Sequence, residues 1–446
     1  MKNSRRKFLQ QTTLATAGLS LSGSILANPF SSFSNLSANG TINFGVIGCK
    51  GMGWSNMKAH LKIPNVRCIA LADIDQRVLD ERAKNVEDIS GKAPKKYKDY
   101  RKMLENKNID AVIIGTPDHW HCLNTVHALE AGKHVYVEKP LANSIEECNT
   151  MLSAAKKYNK IVQVGQWQRS GTHYDDAINY VKSGKLGNIR LVKCWAYIGW
   201  KDRLPQKHNS TPPPEVDYKM WLGPAPLRPF NENRFHFTFR WFWDYAGGLM
   251  TDWGVHEIDI ALYAMNAKAP KSVLASGGKF AYPNDAAETP DTLQTIYEFE
   301  DFNLLWEHAV GIDGGNYGRY EGIAFIGNNA TLVVNRDGWE VIPEGDNVEG
   351  EFIPKVEKIE LQKPVGNALE EHAANFINAI QANDPSKLKC GIETGSIAAI
   401  NAHMGNIAYK TGKKLYWNSE KEIFNDDEAN TLLKANYHNG WELPKI

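Results

Sequence analysis

Two short stretches of this chain hold groups suited to acid–base work on a hydroxyl. The first is Glu138-Lys139-Pro140, where a lysine ammonium can donate to a reacting oxygen and lower the cost of forming an alkoxide. Taken alone, the tripeptide equally fits a surface turn. The second runs from Gly247-Gly248 through Asp252-Trp253-Gly254-Val255-His256 to Asp259. On a helix, Asp252 and His256 stand four apart and share a face. A carboxylate beside an imidazole orients it and stabilises its protonated form, which suits a general base that takes a hydroxyl proton. The same spacing also fits a structural Asp–His hydrogen bond or a pair of metal ligands. The six cysteines contain no Cys-x-x-Cys, so they give no zinc signature, and no metal site is assigned. They read as buried small hydrophobes.

A third stretch points to a phosphate-bearing ligand. Gly48-Cys49-Lys50-Gly51-Met52-Gly53 follows the apolar run Ile42–Ile47 and precedes a helical pattern. Glycines let the backbone turn tightly against a pyrophosphate, and the helix N-terminus adds N–H groups and partial positive charge. Asp73 closes the next apolar run, 20 residues beyond Gly53, where a carboxylate accepts hydrogen bonds from an adenosine ribose. Lys50 stands where the middle glycine of the usual fingerprint belongs, so the turn is altered; its side chain either faces solvent or adds charge near the pyrophosphate. Asp73 favours NAD by repelling the 2′-phosphate of NADP, while Arg77 close by keeps NADP open.

These residues need elements to hold them. Apolar runs at Ile42–Ile47, Val66–Ala72, Ala111–Ile114, Val135–Val137 and Ile161–Val164 alternate with helical stretches, the pattern of a doubly wound parallel sheet with helices on both faces. Glu138-Lys139 sits at the C-terminal end of one such strand, the edge where open parallel sheets bind ligands. After Gly165 the texture changes. Strands are expected at Ile189–Ala196, Asp291–Phe299, Leu304–His308, Gly322–Ile326 and Thr331–Asn335, the last two joined by Gly327-Asn328-Asn329. They imply an α+β domain with a mostly antiparallel sheet. Residues 202–238, with Pro212-Pro213-Pro214, read as a long loop, and Asn367 to Thr411 return to helical periodicity. The expected organisation is a leader over 1–40, a dinucleotide-binding domain over 41–165 and a substrate and oligomerisation domain over 166–446.

The chain has 446 residues and balances 51 basic against 51 acidic side chains, which argues against a nucleic-acid or anionic-membrane partner. Its 13 tryptophans concentrate between Trp195 and Trp253, where they either fill a core or line a sugar-sized site. Ser4-Arg5-Arg6-Lys7-Phe8-Leu9 precedes an uncharged run of small and apolar residues to Ala27, which resembles a twin-arginine export signal. The expected location is therefore the periplasm, with the protein tethered to the membrane if the signal stays uncleaved, and no span in the mature chain. Twin-arginine export carries folded proteins, so a cofactor-dependent enzyme would bind its cofactor before crossing and hold it tightly.

With these motifs in view, the chain from about Asn43 onward resembles the glucose–fructose oxidoreductase / inositol dehydrogenase (Gfo/Idh/MocA) family. The resemblance rests on the glycine turn, Thr116-Pro117-Asp118-His119-Trp120-His121, Glu138-Lys139-Pro140-Leu141 and Gly248…Asp252…His256…Asp259. It implies a nicotinamide-dependent oxidoreductase acting on a hydroxyl of a sugar, glycoside or polyol, with C3 of a glucoside the leading expectation. Lys139, Asp252 and His256 would be catalytic. Gly48, Gly51, Met52, Gly53, Asp73, Pro117, Trp120, His121, Glu138 and Lys139 would bind NAD or NADP. Gln166, Arg169, Trp200, His236, Arg240 and Trp241 are the candidates for sugar contacts. The family also contains redox-neutral glycosidases that oxidise, eliminate and reduce again, and a non-catalytic sugar-binding relative is a further alternative. A homodimer or homotetramer through the second sheet is expected from the resemblance.

Overall fold

The computed structural model describes residues 40–446, so the expected export signal lies outside the described residues. Six strands form the first sheet: β1 (Ile42–Ile47), β2 (Val66–Ala72), β3 (Lys95–Tyr97), β4 (Ala111–Ile114), β5 (His134–Val137) and β6 (Val162–Val164). All pair in parallel, in the order β3-β2-β1-β4-β5-β6. The order reverses direction between β1 and β4, and a crevice opens there above the strand ends. β4 and β5 are buried throughout, as strands covered on both faces must be. One of those covers comes from far along the chain: helix Ala368–Ala382 places Phe376, Ile377 and Ile380 in the core beneath Phe44 and Tyr136.

The second sheet has ten strands. Its members are β7 (Leu191–Ile198), β8 (Ser272–Gly278), β9 (Thr292–Glu298), β10 (Asn303–Val310), β11 (Glu321–Ile326), β12 (Ala330–Asn335) and β13 (Gly338–Pro343), with three more downstream. A separate hairpin, β14 (Gly345–Val348) and β15 (Glu351–Pro354), precedes β16 (Ile359–Gln362), and β17 (Leu415–Asn418) and β18 (Ile423–Phe424) close the far edge. The order is β16-β13-β12-β11-β7-β10-β9-β8-β17-β18, antiparallel except where β7 runs parallel to β10. All five strands expected in this half are present, within two residues at each end. One face packs on helices Thr172–Lys182, Val255–Met265 and Ile392–Thr411, with Trp306 and Tyr297 fully buried between the layers. The other face carries a small cluster of Trp195, Ala324 and Val333 and exposes Leu191, Leu274 and Ile296.

The expected long loop is broken by a short helix, Tyr218–Leu222, and a 3-10 turn, Glu232–Arg234, and it is not free. Residues 212–241 cross back to the first domain. Val216 bridges to Asp75, Gln76 N–H donates to Glu215 O (3.0 Å) and Asp217 N–H to Ile74 O (2.9 Å), all at the end of β2. Trp221 O then accepts from Trp120 Nε1 and His119 Nε2, each at 3.0 Å, just beyond β4. The segment therefore spans the crevice as a strap. No helix among the described residues is long and apolar enough to cross a membrane.

Candidate active site

The glycine turn works by close approach. Gly48 has φ +78°, and a Cβ on Gly53 would stand 1.9 Å from Gly48 O, so helix Met52–Leu61 starts hard against β1. Gly115, at the end of β4, is equally tight, 2.5 Å from the Gly53 Cα if it carried a Cβ. No other residue type allows this contact. Gly51, the displaced glycine, takes φ +51° with open space around it, and exposed Lys50 stands beside it on the cavity wall. The altered turn keeps its shape because the positions that touch backbone remain glycine.

Asp73 ends β2 on the same wall. Its Oδ2 accepts from Cys49 N–H (2.8 Å) and its Oδ1 from Asp75 N–H (3.0 Å), which locks the carboxylate at the lip of the turn. Burial raises it to about 6 against those two amides, so it is ionised at neutral pH. Arg77 is already engaged, its guanidinium held by both Asp75 oxygens at 3.0 and 2.8 Å. The residue that kept a 2′-phosphate in play is thus turned to a different carboxylate.

The cavity runs from this turn past Thr116, Pro117, Asp118 and Trp120 to Glu138 and Lys139, and ends at Arg240 and Asp252. Lys139 follows β5 and its bond to Pro140 is cis. Its Nζ donates to Asp252 Oδ1 (2.7 Å) and to the Asp252 carbonyl (2.8 Å), and Arg240 Nε lies 3.3 Å from Asp252 Oδ2. Burial alone would raise Asp252; Lys139 and Arg240 outweigh it and hold the carboxyl at about 2. Asp252 is positioned by the Gly247-Gly248 turn. Gly248 has φ +65°, Gly247 N–H donates to Thr251 Oγ1 (3.0 Å), and a wide-turn π segment, Met250–Gly254, leads into helix Val255–Met265.

The expected Asp252–His256 hydrogen bond is absent: Asp252 faces Lys139 and Arg240 instead. His256, expected to be catalytic, lies in the next turn, buried behind the cavity lining, with Nδ1 unpartnered and its ring 6.0 Å from Trp167. Burial, then Lys139 and Arg336, push it well below its usual value, so it is neutral at physiological pH and its protonated form is disfavoured in this setting. Asp118 went unassigned in the sequence. It is buried at the cavity wall and pushed up to about 8, burial outweighing Lys139. It holds its proton near neutrality and can donate where an ionised carboxylate cannot.

Several expected contacts fall elsewhere. His121 does not line the cavity: its ring nitrogens lie 2.7 Å from Pro140 O and 2.9 Å from Thr116 O, and its one N–H donates to one of them, so the ring sits between the two cofactor-side loops. Gly53 packs against strand backbone and is likewise behind the wall. Glu138 is on the wall, held by Asn56 Nδ2 at 2.6 Å. Among the sugar candidates, Arg169 is spent on Asp259 (2.6 and 2.9 Å), and Gln166 is fully buried against Cys390. Trp241 is buried beside Lys201, and Trp200, 55 % exposed, stands off the cavity near Phe237. His236 lines the cavity but at the adenosine end, 3.1 Å from Asp75. Arg240 alone reaches the Lys139 end. The strap residues Met220, Trp221 and Phe237 line the cavity and carried no motif to reveal them. Among the described residues no group of three or more His, Cys, Asp or Glu side chains could hold a metal ion.

Comparison with known proteins agrees with this geometry. Residues 42–166 match the Gfo/Idh/MocA oxidoreductase family's NAD-binding Rossmann fold, and residues 171–299 match that family's C-terminal alpha/beta domain. The chain is 27% identical over 244 residues to an uncharacterized oxidoreductase, YrbE, of Bacillus subtilis (54% of this chain, 59% of that protein). It is 30% identical over 207 residues to a glycosyl hydrolase family 109 protein of Parabacteroides distasonis (44% of each). The chain thus spans about half the length of these curated relatives. In fold it is similar to a levoglucosan dehydrogenase solved with NADH and levoglucosan, with TM-score 0.63 and 21% identity over 84% of this chain and 99% of that one. With its glycine turn, its Lys139–Asp252 junction and both matched domains, the chain belongs to the Gfo/Idh/MocA family of oxidoreductases, whose first domain is an NAD-binding Rossmann fold.

Proposed function

We propose that this protein oxidises a ring hydroxyl of a sugar, glycoside or polyol with a retained NAD, C3 of a glucoside being the leading site. The observation that carries the reading is the Lys139 ammonium, fixed by Asp252 at the strand edge with neutral His256 one helical turn away. NAD, when bound, supplies the hydride acceptor. Gly48, Gly51 and the helix N-terminus fit its pyrophosphate, and Asp73 fits its adenosine ribose. Lys139 polarises the substrate oxygen. His256 takes the hydroxyl proton, and Asp252 keeps Lys139 charged and in place rather than orienting the histidine. Retention is supported by the strap, whose residues 215–241 bond both sides of the crevice and line it. The arginine–aspartate pairing of Arg77 favours NAD over NADP.

A second reading has one specific observation behind it. The 30% identical relative is named a glycosyl hydrolase, so a redox-neutral hydrolysis by oxidation, elimination and reduction is the alternative. Assembly as a homodimer or homotetramer through the second sheet is supported by its exposed apolar face. Export to the periplasm by the twin-arginine route rests on Arg5-Arg6 and the uncharged run that follows. Purification without added cofactor, denaturation and identification of what is released tests retention: near-stoichiometric NAD(H) is expected, and an empty protein overturns it. Incubation with sugars and glycosides then separates the readings. A keto-sugar with reduced cofactor supports oxidation; free sugar with no net change in cofactor supports hydrolysis.

A further inference from the structure

The sugar side of Lys139 and His256 lacks a wall, because the candidates read for that role mostly point elsewhere. Three residues from separate elements meet beside His256, adjoining the cavity that Lys139 and Asp252 line without being part of its lining. Trp167 follows β6, Trp253 sits one residue past Asp252, and Arg336 lies in the turn between β12 and β13. The Arg336 guanidinium carbon is 4.6 Å from the Trp167 ring centroid and 4.3 Å from that of Trp253, so the cation is held between two indoles. Arg336 Nη2 donates to Gln168 Oε1 (3.2 Å), which fixes the guanidinium plane, while its Nε is buried without a partner. Trp167 meets His256 edge-on, and Trp253 meets Tyr320 edge-on at 6.1 Å. The core tryptophans Trp195 and Trp306 are fully buried, yet Trp167 and Trp253 keep solvent-facing surface and Tyr320 is 40 % exposed.

We infer that Trp167 and Trp253, pinned by Arg336, form the specificity wall that stacks on the C–H face of a pyranose ring. The inference rests on the sugar reading proposed above and adds the residues that recognise the ring. Indole faces suit it: a pyranose presents axial C–H groups on one face and hydroxyls at its rim, so an aromatic wall binds the face while donors read the rim. Arg336 is a positioning residue here. Its planar fork holds two rings at once, which a lysine cannot do.

The test uses the full chain with its bound cofactor, and methyl glucopyranoside, methyl galactopyranoside and methyl N-acetylgalactosaminide as probes. Binding is followed by saturation-transfer NMR, a single reduction by bound-cofactor absorbance, and turnover by adding a keto-sugar acceptor that takes the hydride back and reoxidises the cofactor. Trp167→Ala and Trp253→Ala should each raise KM about tenfold, with a much smaller change in kcat and unchanged cofactor content. Trp253→Phe should restore most of the loss, and Arg336→Lys should behave as the alanine variants do. Turnover with KM unmoved in both alanine variants overturns the wall and leaves the oxidoreductase reading standing. Tryptophan-dependent binding without turnover or hydrolysis upholds the wall and sinks that reading. No binding of any probe to the unaltered protein overturns both.

Discussion

Lys139 Nζ and Asp252 Oδ1 stand 2.7 Å apart although 113 residues separate them, and the contact joins the Rossmann strand edge to the helix of the second domain. The ammonium is chelated by the carboxylate and carbonyl of one residue, so the reactive group exists in its working position only when the two domains are docked. Removing Lys139 should therefore cost more than a charge. Lys139→Ala is expected to lower kcat/KM about a thousandfold, as loss of a preorganised donor to a developing alkoxide does. Asp252→Asn, which keeps the shape and loses the charge, should cost less, and steady-state kinetics on one sugar will rank them.

His256 is expected to act as an uncharged base. His256→Ala should reduce turnover by roughly 100- to 10,000-fold and leave bound cofactor near its original level. Because the ring is pushed well below its usual value, the rate should show no histidine inflection between pH 6 and about 7. A variant with full turnover would refute the assignment.

Asp118 should make the protein less stable as pH rises. Its folded value of about 8 lies above the ordinary 3.8, so the folded state keeps a proton that the unfolded chain has lost. Stability falls through that interval as pH rises, and is lowest above the folded value. Asp118→Asn removes the liability. It should be more stable than the unaltered protein at pH 9, by on the order of several kcal/mol, and show little difference at pH 4.

Cofactor choice should depend on Asp73. Asp73→Ser removes a fixed carboxylate at the ribose position and should weaken NAD by about tenfold while relieving repulsion of NADP. Titration of both cofactors into stripped protein measures the change. Because Arg77 stays with Asp75, NADP should improve without becoming preferred.

The end of the chain should matter for stability. Tyr437 Oη donates to Glu147 Oε1 (2.7 Å), and the Trp441 ring meets Trp120 edge-on at 5.0 Å, behind the cavity wall. Trp441→Ala should cost about 1–2 kcal/mol in chemical denaturation.

Much of the first domain was legible because buried parallel strands are short β-branched runs, and β1, β2, β4 and β5 are of that kind. β3, Lys95–Tyr97, escaped notice since its residues are polar and largely exposed. In the second sheet β8 ends in Ser276-Gly277-Gly278 and reads as a turn, and β13 starts at a glycine. The site was legible as residue types more than as partnerships. Asp252 and His256 look paired at a spacing of four, but a lysine and an arginine from elsewhere in the chain outbid the imidazole. Arg169 looked free for a sugar because nothing in Gln166-Trp167-Gln168-Arg169 announces Asp259, 90 residues on. Burial, which makes Asp118 a proton holder, is a tertiary property with no local pattern.

If NAD is retained as proposed, the segment that bonds Asp75 on one side of the crevice and Trp120 on the other also sets the form of the rate law. On that reading a ligand beneath the strap leaves when those hydrogen bonds open together, and its residence time follows an opening barrier rather than its contact energy. Once that time exceeds the turnover time, the two halves of a redox cycle must use the same seat in succession. Double-reciprocal plots for a donor and an acceptor sugar then run parallel, and the second sugar competes with the first. Residues 215–241, of which only Arg240 reaches the reacting end, would then decide whether the nicotinamide behaves as a substrate or as part of the protein.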